Sequence, residues 1–270
     1  MGLGSVGAAS IMRANDKRSG EAWMGGSRFI GIVRNRLASR KPLAGCLAGL
    51  ACLLALGFGS AARAQPSPDA IYGVTAFDVA AGSVAQGVAL LKTYRDAVRK
   101  QAGNQGVELL QEAGWPNRFA IYETWTGQSA YDLNEKAAHT VELRDKLKPI
   151  AGASFDRRDY HVISVGAPKP AAAGAIYMHL HLDVFPPGLV PTLAAVKQVA
   201  EAARKGEGNL LYDVTQSVKP PLSHMTLLAA WQSRQAFDAY EMSAYGRRFR
   251  ETIGPLLGSP YDDRLYVSIN

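Results

Sequence analysis

The second half of this chain repeats the first. Shifted by 105 positions, Ala70-Ile71-Tyr72 falls on Ala175-Ile176-Tyr177, Asp78-Val79 on Asp183-Val184, Arg99-Lys100 on Arg204-Lys205 and Gly103-Asn104 on Gly208-Asn209. Shifted by 106, Trp125, Ala130, Asp132 and Glu135 fall on Trp231, Ala236, Asp238 and Glu241. The same shift lays Arg144, Pro149, Gly152, Asp156, Arg158 and Tyr160 on Arg250, Pro255, Gly258, Asp262, Arg264 and Tyr266. Collinear matches with a one-residue change of offset mark two diverged copies of one structural unit. The copies span residues 70–165 and 175–270, and the Gly-, Ala- and Pro-rich stretch 166–174 between them is a linker by composition.

Within each copy the apolar pattern alternates between the two regular periods. Strands are expected at 72–79 and 176–184, at 107–111 and 210–215, at 119–125 and 225–231, and at 160–164 and 265–269. A first helix carries Val84, Val88, Leu91 and Val98 in one copy and Leu189, Leu193, Val196 and Ala203 in the other, ending at Gly103-Asn104 and Gly208-Asn209. A single second helix is expected over 130–147 and 236–257. Strand, helix, strand, strand, helix, strand is the ferredoxin-like split unit, an antiparallel sheet with both helices on one face. The bare sheet face needs a cover, and the second copy supplies it. The expected fold is α+β: tandem ferredoxin-like modules forming an intrachain pseudo-dimer, with sheets packed face to face or closed into a barrel.

The basic balance of the whole chain, net +7, belongs to its first quarter. Nine of the 30 basic residues and two of the 23 acidic ones precede residue 65, which leaves 21 of each. A nucleic-acid partner needs a cationic surface to displace phosphate counterions, so none is expected. Residues 1–64 read as a leader: a basic stretch at 28–41, an apolar run at 43–58, and Ala62-Arg63-Ala64 as a small-x-small cleavage signal before Gln65. Cleavage after Ala64 makes the protein periplasmic or secreted, with no stable membrane association afterwards; an uncleaved anchor is the competing reading. Both cysteines, Cys46 and Cys52, lie in the leader, so the mature chain has no thiol, thiolate metal site or disulfide.

Ser129-Ala130-Tyr131 following Trp125, then Glu142-Leu143-Arg144, resembles the antibiotic biosynthesis monooxygenase family, a branch of the dimeric α+β barrel proteins. The second copy has the related Trp231-x5-Phe237 and Tyr240-x2-Ser243-x-Tyr245. The resemblance implies a small monooxygenase that oxidises a phenolic or hydroquinone compound with O2 and without a cofactor. It also implies that Tyr131 passes a proton to or from the substrate while Trp125 packs against its ring; the competing reading makes both core aromatics. Two departures stand out. The family's Asn four residues before the Trp is here Ile121, and Leu227 in the second copy, while the counterpart of Tyr131 is Phe237, which has no proton to move. An active pocket is therefore expected in the first copy.

His139 falls where many family members carry a helical histidine, as general base or, in haem-degrading relatives, as haem ligand. A capped or surface side chain is the plain alternative. Asn134, Arg144, Trp231 and Tyr245 are expected beside the substrate, although Arg144 among Glu142, Asp145 and Lys146 also reads as a solvated charged face. His179-Leu180-His181-Leu182-Asp183 puts two histidines and a carboxylate on one face of a strand. With His224 they are candidates for zinc or copper, but Val74 and Ala76 hold those places in the first copy. A polar patch between the sheets is the alternative, and no metal is expected. The remaining alternative is a non-catalytic small-molecule or haem-binding module. One chain supplying both halves of the barrel can be monomeric.

Overall fold

A computed structural model of the protein describes residues 65–270 apart from 172 and 221. The leader and its cleavage site lie outside the described residues. The first module runs β1 (Ile71–Asp78), α1 (Val84–Val98), β2 (Asn104–Glu112), β3 (Arg118–Trp125), α2 (Gln128–Glu135), α3 (Ala138–Leu147) and β4 (Asp156–Ser164). The second runs β5 (Ile176–Asp183), α4 (Leu189–Lys205), β6 (Asn209–Ser217), β7 (His224–Trp231), α5 (Arg234–Met242), α6 (Ala244–Ile253) and β8 (Asp262–Ser268). Among the described residues no helix is long and apolar enough to cross a membrane.

The eight strands close into one barrel in the order β1-β3-β2-β8-β5-β7-β6-β4. Each module contributes a four-stranded antiparallel sheet, and two seams join them. At one, Leu110 pairs with Ser268 and Glu112 with Tyr266; at the other, Tyr160 pairs with Ser217 and Val162 with Thr215. Closure leaves no edge strand with unpaired N–H and C=O groups. The two expected packings thus resolve in favour of the barrel.

Strand alternation divides the side chains into two populations. Those pointing into the barrel include Tyr72, Val74, Leu110, Ala120, Tyr122 and Tyr160, joined by Tyr177, Leu228, Ala230 and Tyr266 from the second module. Those pointing outward meet the helices of their own module. Phe77, Phe119, Ile121 and Trp125 pack under Leu91, Val98, Leu143 and Leu147 in the first module; Met178, Leu182, Leu227 and Trp231 pack under Val196, Phe249 and Ile253 in the second. Each such large apolar side chain stabilises by about 1.5–3 kcal/mol when fully buried.

The second helix departs from expectation in both modules, because each is two short helices with a corner between. Ser243 is extended (φ −66°, ψ 155°), and its hydroxyl oxygen accepts from the Gly246 N–H at 3.0 Å, which caps α6 and ends α5. Ala137 takes the same extended conformation (φ −68°, ψ 146°) without a side-chain cap. The corner brings α3 against α1 and α6 against α4. The linker is docked rather than loose, since the Lys169 N–H donates to the Leu210 carbonyl at 2.9 Å.

Gly103 and Gly208 lie past the helix ends and open the following strands, at φ +85° and +71°. A Cβ at Gly103 would stand 2.5 Å from Cβ of Ala130, and one at Gly208 would stand 2.7 Å from Cβ of Ala236. Gly103→Ala is therefore expected to cost about 1–3 kcal/mol from backbone strain and contact. Chemical denaturation checks this, with Gly82→Ala, where the added Cβ meets nothing, as the neutral control.

Candidate active site

Between sheet and helices of the first module lies a buried polar cluster assembled from five elements. Glu123 on β3 is fully buried, although its outward neighbours Ile121 and Trp125 are apolar. Its Oε1 accepts from the Tyr94 hydroxyl of α1 at 2.6 Å, and its Oε2 accepts from the Arg157 guanidinium of β4 at 2.7 Å. Arg157 also donates to Thr75 Oγ1 on β1 at 3.3 Å and pairs with Glu135 on α2. Burial opposes the charge on Arg157, but Glu123, Tyr94, Tyr131 and Glu135 outweigh it and raise its pKa. Burial and the adjoining Glu123 hold the Tyr94 phenol well above its ordinary range.

Asn134 on α2 links this pair to His139. Its Nδ2 donates to the Tyr94 hydroxyl oxygen at 3.2 Å and faces Glu123 Oε1 at 3.5 Å, while its Oδ1 accepts from Thr140 Oγ1 at 3.2 Å. Turning the amide over would aim a carbonyl at the Glu123 carboxylate, so the carboxylate fixes the amide's direction. Oδ1 then lies 2.9 Å from Nε2 of His139 and can only accept. His139 is therefore the Nε2–H tautomer, and its Nδ1 carries the free lone pair. Partial burial lowers the imidazole pKa, with Glu123 opposing, so the ring is neutral at pH 7. His139, Tyr94, Leu90 and Leu143 line a cleft of about 70 Å³ between α1 and α3. A neutral base stands at its wall, held by an amide that is held by a buried carboxylate.

Tyr131 and Trp125 lie deeper. Trp125 is fully buried, with no hydrogen-bond partner for its Nε1 among the described residues. Tyr131 rests on the sheet at Gly73, where a Cβ would come within 2.7 Å of its ring, and the Arg157 guanidinium sits 5.3 Å above its centroid. Burial raises the Tyr131 phenol to about 12, with Arg157 opposing. Neither residue lines the cleft beside His139. Arg144 reaches back from α3 to Glu135 Oε2 at 2.5 Å. Arg250 does the same to Glu241 at 2.6 Å, so in both modules this arginine ties the two short helices together.

The remaining expected residues belong to the second module. Trp231 packs against Tyr240 at 4.6 Å and Phe237 at 5.2 Å, and Tyr245 lies 5.8 Å from Tyr240. They form that module's own core and do not meet the His139 cluster. Val199, Ala229, Tyr240, Tyr245 and Asp263 stand there in place of Tyr94, Glu123, Asn134, His139 and Arg157. Tyr212, paired in register with Ala229, fills the space above it and bonds to the Tyr240 hydroxyl at 2.9 Å. Glu123, Tyr94 and Arg157 were missed in the sequence, yet one signal was available. Glu123 interrupts the outward apolar stripe Phe119, Ile121, Trp125, whereas the second copy keeps an apolar Ala229 at that place.

The histidines of β5 point into the barrel. His179 lies edge-on to Tyr122 at 5.5 Å and stacks on Tyr266 at 6.4 Å; His181 faces His224 at 5.3 Å, and His224 pairs with Asp183 at 3.2 Å. No three His, Cys, Asp or Glu side chains converge as a metal would require among the described residues. Burial, helped by His181 and Arg264, lowers the His179 pKa to about 3. The folded ring thus stays neutral down to that pH, whereas the unfolded one takes up a proton near its ordinary 6.5. Stability is complete above 6.5 and falls as pH drops toward 3, by up to about 1.4 kcal/mol per unit. His179→Leu is expected to flatten that slope in denaturation curves taken between pH 7 and 4.

The antibiotic biosynthesis monooxygenase family model matches residues 70–145 and again 175–252. The chain belongs to this family, with two tandem copies of its domain. A candidate monooxygenase of Fusobacterium nucleatum shares the fold at a TM-score of 0.66 and 13% identity, covering 74% of this chain and 93% of its own. One from Lactobacillus acidophilus gives 0.61 at 13% identity, covering 75% and 95%. An anthrone oxidase-like protein gives 0.59 at 11% identity, covering 77% and 94%. At such identities these likenesses speak for the fold alone. No curated protein matches the chain. The polar cluster of the first module has no counterpart in the second, where Val199, Ala229 and Tyr240 take the places of Tyr94, Glu123 and Asn134.

Proposed function

We propose that this chain is a cofactor-independent monooxygenase that oxidises a small phenolic or hydroquinone-type molecule with O2 in the first module. The observation that carries the reading is the contrast between the copies. One fold, repeated, needs no buried ions at these positions, because the second module fills them with Val199, Ala229 and Tyr240. A buried ion pair is at best neutral for stability against such packing. Its retention around a neutral, oriented histidine beside a cleft supports a chemical use.

The steps follow from that histidine. In the proposed reaction a substrate phenol entering the cleft gives its proton to Nδ1 of His139, acting as general base. The phenolate is electron-rich enough to pass an electron to O2, and the two radicals join at a ring carbon that still carries hydrogen. His139 returns the proton to the new peroxide. Loss of that carbon's hydrogen with hydroxide releases water and leaves a second carbonyl, so a phenol and O2 become a quinone and water. The Arg157–Glu123–Asn134 chain holds the imidazole in the tautomer that makes Nδ1 the base. The leader, read as a signal peptide, would place this chemistry outside the cytoplasm.

Oxygen uptake by residues 65–270 with a panel of naphthols and dihydroxy-aromatics tests the proposal. Saturable uptake above autoxidation, little altered by Tyr131→Phe, is the expected result. Uptake that collapses in Tyr131→Phe would move the proton transfer to that phenol. Absence of uptake across the panel would favour a binding module that kept the fold without the chemistry.

A further inference from the structure

Two motifs of the sequence take no part in the His139 cluster: Asp-x-Arg-x-Tyr, present at 156–160 and again at 262–266, and His179-x-His181. The barrel brings them to one place. Alternation turns Arg158 and Tyr160 of β4, Arg264 and Tyr266 of β8, and His179 of β5 inward, so this site lies on the opposite sheet face from the His139 cleft. In register, Arg158 pairs with Val74 on the β1–β4 wall and Arg264 pairs with His179 on the β5–β8 wall, which stands apart from it in the strand order. Together they line a cavity of about 210 Å³ at one end of the barrel.

The lining has the parts an anion with a ring would use. Two guanidinium groups come from different walls. Each is balanced by the aspartate two residues before it, Asp156 at 2.9 Å and Asp262 at 3.0 Å, but these pairs are about half exposed. Exposed pairs of this kind are weak, and each guanidinium has further N–H donors for a second carboxylate. Tyr160 and Tyr266, both buried, supply aromatic surface, and Val74 gives the first-module wall an apolar panel where the second module has His179. One buried polar atom of the lining, Nδ1 of His179, has no hydrogen-bond partner among the described residues. Buried polar groups are nearly always hydrogen-bonded, so such an atom beside a cavity points to something that enters it.

We propose that this end of the barrel is a binding site for a monocyclic aromatic carboxylate, its carboxylate between Arg158 and Arg264 and its ring among Val74, Tyr160 and Tyr266. The site is distinct from the one proposed for oxidation, and does not depend on it.

Titration of the full chain with 4-fluorobenzoate, followed by fluorine NMR, tests the proposal. Saturable one-to-one binding is expected, weakened about tenfold or more in Arg158→Gln/Arg264→Gln and unchanged in His139→Gln. Val74→Phe, which fills the cavity from the other wall, is expected to abolish it, and thermal melting of each variant confirms that it is folded. The proposal is overturned by an absence of saturable binding to the unaltered chain. It is overturned equally by binding that survives both the arginine pair and Val74→Phe, by loss in His139→Gln, or by equal binding of neutral 4-fluorobenzyl alcohol.

Discussion

Arg157→Met is expected to lower the unfolding free energy by about 3–5 kcal/mol, the usual cost of stranding one member of a buried ion pair. The Arg157 side chain is 5% exposed and that of its partner Glu123 is fully buried, so the substitution leaves the carboxylate buried without its cation. Three neighbours lose a donor at once: Glu123 Oε2, Thr75 Oγ1 and Glu135. In a chain of this size the loss appears as a fall of roughly 10 °C in melting midpoint. Adding Glu123→Ala, the residue that the second module carries at that place, removes the stranded carboxylate and recovers more than half of the loss. Denaturant titration of the two variants decides the point. A cost below about 1 kcal/mol for Arg157→Met would mean that the pair is solvated and the cluster is no special environment.

If the proposed reaction holds, His139→Gln is expected to lower the rate of oxygen-dependent turnover by about 10²–10⁴, the range of general-base contributions, with little change in KM. Gln keeps a polar side chain near Asn134 but offers no basic nitrogen. The pH profile adds a second readout. A base works when neutral, and burial lowers the His139 pKa. The acid limb of the turnover profile is expected to lie below the ordinary imidazole value. A variant with full activity, or a profile breaking at the unperturbed value, would remove His139 from the chemistry.

The architecture was legible because every strand and first helix is written twice. A register error in one copy is exposed by the other, and the bare face of each sheet calls for the other as cover; whether the sheets stack or close into a barrel was left to the strand pairing at the seams. The corner at Ala137 was not legible. It depends on one residue's ψ, and nothing in Lys136-Ala137-Ala138 opposes a continuous helix, whereas Ser243 at least carries a capping side chain. The site was half legible. Family likeness pointed to Trp125, Tyr131 and His139, and the structure brings Asn134 onto His139 at 2.9 Å. Tyr94, Glu123 and Arg157 come from a helix and two strands, and read singly as a core aromatic, an odd charge and half of an Arg-Arg pair. Only tertiary pairing joins them. Trp231 and Tyr245 were carried over as counterparts of site residues, but the helices cover each sheet separately and keep them in the other core.

In the proposed reaction the first module puts one atom of O2 into a phenolic substrate and the other into water, with His139 as base. Turnover of a naphthol under ¹⁸O₂, read by mass spectrometry of the quinone, tests this. One labelled oxygen per quinone is expected, with loss of that product in His139→Gln but not in Tyr245→Phe. Quinone without label, or labelled quinone formed equally by the His139→Gln protein, would contradict it.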